Sequence, residues 1–246
     1  MGGQSRGIHA PSRGVWQLTG DVDVARQLAA AGFDWLALDM QHGAVDRDAL
    51  LAIGRALGDV GATVVVRVPG VDPVAIGNAL DVGAAAVIVP TIGSAVDAAA
   101  IVEAAHYPPL GQRSWGPLTD LWGGDAPEPA AANDAVQVIP MIETRGALED
   151  VDAIAAVDGV DALFIGPFDL SLSLGMTIDE LLAATGDDDP IPTVVASGAR
   201  HGKHVIAFAG VPSRAPAFEA FGITALAVAT DLALLRLGAE RAMGAA

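Results

Sequence analysis

Eight short β-rich runs separated by Ala-rich segments of helical period predict an α/β chain that closes as a (β/α)8 barrel. Two further observations point the same way. Most of the runs are apolar along their length instead of alternating with polar residues, as parallel strands covered on both faces are. The length of 246 residues suits one closed α/β barrel, for which about 250 is typical. A doubly wound open sheet is the alternative that pattern alone leaves. One domain spanning residues 1–246 is expected, with residues 1–13 as a flexible N-terminal segment.

The runs fall, in order, at residues 14–18, 35–39, 63–68, 86–89, 137–142, 162–165, 204–208 and 225–229. Helices are expected between them. Asp46 stands before Arg47, Asp48, Ala49 and Leu50 as an N-cap, because its carboxylate can accept from the first free helical N–H groups. Pro73 opens the next helix at its first turn, where its missing N–H costs nothing. Gly32, Gly61 and Gly83 mark helix ends. The alternation lapses twice, between His106 and Ala135 and between Leu170 and Ile191, in stretches rich in Gly, Pro, Asp and Trp. Both are read as strand-to-helix loops overhanging the C-terminal face of the barrel, where such folds keep their chemistry.

Composition removes several classes of function. A net charge of −17 with 13 scattered cations argues against nucleic acid, since phosphate binding needs clustered positive charge. With no cysteine there are no disulfides, thiolate metal sites or cysteine nucleophiles, which fits a cytoplasmic location. The first 13 residues contain no apolar stretch of a signal peptide, and no run reaches the ~20 apolar residues that a membrane span needs. Lys203 is the one lysine in the chain, and it precedes the seventh run, on the face away from the expected rim. A Schiff-base or pyridoxal mechanism needs its lysine inside the site, so carbonyl activation falls to a metal. Neither a dinucleotide loop nor a Walker loop is present. The segments Ala209-Gly210-Val211-Pro212 and Thr230-Asp231-Leu232 lack a Gly-rich phosphate cradle, which disfavours a phosphorylated sugar.

Asp39, His42, Arg67, Glu143 and Asp169 stand at or just beyond the C-terminal ends of predicted strands two, three, five and six. In a barrel those ends share one rim. Singly, each has an ordinary explanation: a strand-end Asp caps the following helix, and an Arg pairs with it. Together they form a constellation. Two carboxylates, Glu143 and Asp169, placed where neighbouring apolar strands run out, can converge on one hard cation. That donor set favours magnesium, manganese or a similar divalent ion over zinc, because His42 alone among the histidines is placed to help. His9, His201 and His204 lie elsewhere, and His106 precedes a structural Tyr107-Pro108-Pro109 turn.

At these residues the chain resembles the HpcH/HpaI aldolase family of metal-dependent pyruvate aldolases, and the resemblance covers nearly the whole sequence. It is carried by Gly32-Phe33-Asp34-Trp35 through Asp39-Met40-Gln41-His42, by Val66-Arg67-Val68-Pro69, and by Leu80-Asp81-Val82-Gly83 with Val89-Pro90. Three later stretches complete it: Tyr107-Pro108-Pro109-Leu110-Gly111-Gln112-Arg113, Ile142-Glu143-Thr144-Arg145, and Phe164-Ile165-Gly166-Pro167-Phe168-Asp169-Leu170-Ser171. The resemblance implies that Glu143 and Asp169 bind a divalent cation (Mg2+, Mn2+ or Co2+) that chelates a 2-oxo acid. Backbone around Gly166, Pro167, Phe168 and Asp169 would hold the substrate carboxylate, and Arg67, oriented by Asp81, would face the enolate oxygen. His42, oriented by Asp39, would manage the proton of the C4 hydroxyl. The resemblance further implies a homo-oligomer, a hexamer with an exchanged C-terminal helix, for which Leu232, Leu234, Leu235 and Leu237 supply apolar surface. Two positions depart from many relatives, Gln41 where they have Glu and Met141 where they have Gln. The stretch with Trp115, Trp122 and Asp125 is also individual, so the acceptor does not transfer.

The expected activity is therefore a class II aldolase that reversibly cleaves a 4-hydroxy-2-oxo acid to pyruvate, or hydroxypyruvate, and an aldehyde. Breaking C3–C4 leaves carbanion character that delocalises onto the keto oxygen, and a Lewis acid plus a guanidinium stabilises it without a covalent intermediate. A lyase acting on malyl- or citramalyl-type CoA esters is the alternative in the same superfamily, disfavoured by the scarcity of cations to grip the cofactor. A silent 2-oxo-acid binding protein is the second alternative, opposed by the presence of both His42 and Asp39.

Overall fold

The computed structural model describes residues 7–58, 62–118 and 125–244. Eight parallel strands close into a barrel, each hydrogen-bonded to the next in sequence and the last to the first. They are β1 (Ser12–Gln17), β2 (Trp35–Asp39), β3 (Thr63–Arg67), β4 (Ala86–Val89), β5 (Gln137–Ile142), β6 (Ala162–Ile165), β7 (His204–Phe208) and β8 (Ala225–Thr230). The closed sheet excludes the open doubly wound alternative. Strands β2, β4, β5, β6 and β7 begin and end where the sequence predicts. β1 starts two residues before its predicted run.

Around the sheet, in chain order, lie α1 (Val22–Ala30), α2 (Arg47–Leu57), α3 (Pro73–Asp81), α4 (Ala95–Ala105), α5 (Pro129–Asp134), α6 (Arg145–Glu149), α7 (Val151–Ala156), α8 (Pro167–Leu174), α9 (Ile178–Ala183), α10 (Pro190–Arg200), α11 (Ala215–Ala220) and α12 (Asp231–Ala242). Local chemistry sets their starts. Asp46 accepts from the Ala49 N–H at the head of α2, and Pro73 occupies the first turn of α3, both as the sequence predicts. Gly32 and Gly83 follow α1 and α3 with φ of +90° and +89°, a region costly for any residue with a Cβ. Gly61 lies outside the described residues; the C-cap residue of α2 is Gly58.

Side chains alternate across each strand, and both faces are apolar. One set points inward: Trp35 and Ala37 on β2, Val65 on β3, Ile88 on β4, Ile139 and Met141 on β5, Phe164 on β6 and Ile206 on β7. The other set, including Leu36, Leu38, Val66, Val87, Val138, Ile142, Leu163 and Ile165, packs under the helices. This double burial is why the strands read as continuous apolar runs. The inward parity also carries forward: Asp39, Arg67 and Glu143 continue the inward series of β2, β3 and β5 and so emerge at the barrel mouth.

Two expectations are corrected. Residues 7–13 are not a flexible tail: Ile8 is fully buried among the inward residues, its N–H bonded to Gln137 Oε1 at 2.8 Å, and β1 already begins at Ser12. The stretch from His106 is not a strand-to-helix loop either. It leaves the C-terminal end of α4, and Arg113 and Leu118 tie it to Asp81 at the end of α3, which puts it on the N-terminal face. Trp122 of this stretch lies outside the described residues. The second lapse does follow β6, but as the helices α8 and α9 and the start of α10.

Candidate active site

A cavity of about 170 Å3 opens at the C-terminal mouth, lined by Trp16, His42, Arg67, Met141, Glu143, Gly166, Pro167, Phe168, Asp169 and Phe208. Four of the five rim residues singled out in the sequence face this space directly. The fifth, Asp39, lies just beneath it. It is fully buried and spends both oxygens: Oδ1 accepts from Arg67 Nε (3.0 Å) and from the backbone N–H groups of Gln41 (2.9 Å) and His42 (3.1 Å). Oδ2 accepts from Arg67 Nη2 (2.5 Å) and Trp16 Nε1 (3.0 Å). Burial alone would raise the Asp39 carboxyl, but Arg67, the His42 N–H and the Trp16 indole outweigh it and hold it below the usual value.

Asp39 therefore orients Arg67 with a two-point grip of the kind that fixes a guanidinium plane. Its link to His42 runs through the backbone turn. Asp81, expected to orient Arg67, does not: its Oδ1 accepts from Arg113 Nη2 at 2.7 Å, and it lies at the far end of α3, away from the cavity. The correction has a simple cause. A helix that follows a barrel strand runs from the mouth to the base, so its last residue cannot reach the rim of the same chain.

Glu143 is only 3% exposed. Its Oε1 accepts the Thr91 N–H at 2.7 Å, and Thr91 adopts φ of +56° to present it, a conformation that costs a β-branched residue about 1–3 kcal/mol. Burial pushes the Glu143 carboxyl above its usual range; the Thr91 N–H opposes this, the Asp169 charge adds to it, and Arg67 offsets part. Gly166 completes the arrangement, since a Cβ there would sit 2.6 Å from Glu143 Oε2. Asp169 stands exposed in the first turn of α8, facing the same space. Two carboxylates on one cavity, with the Asp169 charge adding to the cost of ionising Glu143, offer hard oxygen donors that fit a divalent cation completed by water or substrate oxygens. Among the described residues no group of three or more His, Cys, Asp or Glu is placed to hold a metal ion, which leaves these two carboxylates as the protein's donors.

Helix α8 begins at Gly166 with no side-chain cap and with Pro167 in its first turn. The N–H groups that follow, at Phe168 and Asp169, point from a positive helix end toward the cavity and suit a carboxylate. The aromatic part of the wall, Trp16 and Phe208, was not singled out in the sequence. Both are apolar residues at the inward positions of strand ends, so hydrophobic pattern reads them as core. Their parity with Gly14 and Ile206 was the available signal.

The fold and this mouth define a barrel with charged side chains on a cavity at the end where such folds keep their chemistry, and the aldolase relatives that follow make the chain a carbon–carbon lyase. Residues 13–234 match the family model of HpcH/HpaI aldolase/citrate lyase, and the chain belongs to that family. It is 40% identical over 191 residues, 75% of this chain and 72% of the relative, to a 4-hydroxy-2-oxovalerate aldolase of Novosphingobium aromaticivorans. To a hydroxypyruvate/pyruvate aldolase of Agrobacterium fabrum it is 38% identical over 198 residues, 78% and 74% of the two chains. The crystal structure of a family protein from Burkholderia cenocepacia superposes with a TM-score of 0.86 at 32% identity, covering 95% of this chain and 93% of the other. Among the described residues no helix is long and apolar enough to cross a membrane.

Proposed function

We propose that the protein is a divalent-metal-dependent aldolase that reversibly cleaves a 4-hydroxy-2-oxo acid into pyruvate, or hydroxypyruvate, and an aldehyde. The observation that carries this reading is the convergence of Glu143, Asp169, Arg67 and His42 on one cavity above the open N-terminus of α8. Glu143 and Asp169 would hold Mg2+, Mn2+ or Co2+. A cation bound there supplies Lewis acidity to the keto oxygen.

The remaining work belongs to the chain. The N–H groups of Phe168 and Asp169 hold the carboxylate of the 2-oxo acid, with Gly166 and Pro167 shaping the approach. Arg67, its plane fixed by Asp39, faces the keto oxygen and stabilises the negative charge that gathers as the C3–C4 pair of electrons moves onto the enolate. His42 takes the C4 hydroxyl proton, directly or through water, so that the aldehyde carbonyl forms as the bond breaks. An imidazole suits this task because it changes charge close to neutral pH. The proton taken from the C4 hydroxyl then returns, directly or through water, to C3 of the enolate and gives pyruvate, leaving His42 neutral for the next turnover. Trp16, Phe208 and Met141 keep the floor of the cavity apolar, which strengthens these electrostatic contacts.

The homo-oligomer implied by the family resemblance is part of this reading. Helix α12 leaves Leu232, Leu235 and Leu237 at 45%, 70% and 51% exposure, which supports burial against another copy.

Pyruvate release tests the activity. Metal-stripped protein is incubated with a 4-hydroxy-2-oxo acid, and magnesium, manganese and cobalt are added in turn; cleavage that appears with metal is the expected result. Silence with every metal and several substrates rejects the reading. Cleavage of CoA esters without cleavage of the free acid selects the alternative lyase.

A further inference from the structure

An aromatic arc walls one side of the cavity, with a guanidinium at each end. Trp16 meets Phe208 edge-on at 5.2 Å between ring centroids, and Phe208 meets Phe168 at 6.2 Å. Arg67 Cζ lies 5.1 Å from the Trp16 ring centroid, and Arg214 Cζ lies 5.1 Å from that of Phe168. The edges of the two guanidinium groups are in different states. Asp39 takes the Nε–Nη2 edge of Arg67. Arg214, in the 3-10 turn Pro212–Arg214 that follows β7, makes no side-chain hydrogen bond or ion pair with the described residues. It is half-buried, in a chain with 30 acidic residues against 13 basic ones.

We propose that Arg214 determines acceptor specificity by holding a carboxylate at the far end of the aldehyde portion of the substrate. This rests on the cleavage reading given above. The 2-oxo acid end is taken by Glu143, Asp169 and the head of α8, and the backbone of Phe168 belongs to that end. The ring of Phe168 lies under Arg214, so one residue joins the two subsites. Between them the arc of Trp16, Phe208 and Phe168 offers rings to a methylene chain. Arg214 Cζ lies over the Phe168 ring, and its guanidinium has no hydrogen-bond or ion-pair partner among the described residues; a guanidinium can pair with a carboxylate through two parallel hydrogen bonds. Among the described residues Arg67 is the one guanidinium lining the cavity itself, and in the cleavage reading it serves the keto oxygen.

Two substrates of equal chain length separate the charge from everything else: 4-hydroxy-2-oxoheptanedioate, which ends in a carboxylate, and 4-hydroxy-2-oxoheptanoate, which ends in a methyl group. Wild-type protein should prefer the dioate, and rising salt should erode that preference. Arg214→Ala should cut the dioate-to-monoacid ratio of kcat/KM by about tenfold, the size of a lost charge-assisted hydrogen bond. The loss should fall in KM, since the tail is held equally before and during bond breaking. Arg214→Lys should restore part of the ratio, because a point charge replaces the fork. A wild-type preference absent from the start, or an Arg214→Ala ratio equal to that of the wild type, overturns the proposal. Equal loss on both substrates does the same by marking Arg214 as structural. A wild-type protein inert on both compounds rejects the cleavage reading, and this inference with it.

Discussion

Gly166 and Glu143 show how little room the site allows a single atom. A methyl group at Gly166 would press on Glu143 Oε2 at 2.6 Å, so Gly166→Ala should displace the carboxylate and weaken divalent-cation binding while the barrel remains folded. Calorimetric titration of Mn2+ reads the first effect and circular dichroism the second. Glu143→Gln should abolish cation binding and pyruvate release together. His42→Ala should retain the cation but slow cleavage about 10²-fold or more; a full rate would remove the proton role. At this scale the sequence was informative wherever a polar residue interrupted an apolar strand, which is how Asp39, Arg67 and Glu143 stood out. It was silent where the functional residue is itself apolar, as with Trp16 and Phe208. It misplaced Asp81, because adjacency in a motif does not reveal that a helix of nine residues carries its ends to opposite faces.

Among the elements, β1 is the one whose path depends on a missing side chain. The ring of Trp35 packs against Gly14 so closely that a Cβ there would overlap it, and the register between β1 and β8 shifts at Gly14/Val15. Gly14→Ala forces either the fully buried Trp35 or the strand to move, at a cost of about 1–3 kcal/mol, and thermal melts should show the drop. The strands were legible because burial on both faces leaves few polar residues in them. The segment from His106 to Asp134 was not. Its Gly, Pro and Trp content marks it as irregular, but which face it covers is decided by the direction of α4. In the same way, the polar letters of residues 1–13 gave no sign that Ile8 plugs the barrel base, since one apolar residue has no period.

For the molecule as a whole, the Asp39–Arg67 pair links the site to acid stability. Asp39 titrates below its unfolded value, about 3.9, so in the interval between the two the unfolded chain holds more protons than the folded one. Its contribution is fully present above the unfolded value and is lost as pH falls through the folded value. Asp39→Asn should lower the melting temperature at neutral pH, since it leaves Arg67 without its partner. The same variant should show a shallower further decline than the wild type on acidification below about pH 4. Melts across that range check the difference. The proposed homo-oligomer belongs to this scale as well: with Leu235 70% exposed on α12, the proposal expects wild-type protein to sediment as an oligomer and Leu235→Glu as a smaller species, and a wild-type monomer overturns it.

Lys203 stands just ahead of β7 at the barrel base, opposite the cavity mouth. Tethering the enzyme to a solid support through a lysine-selective linker would therefore seat every molecule with its entrance facing the bulk liquid, and substrate traffic should proceed unhindered on the bead.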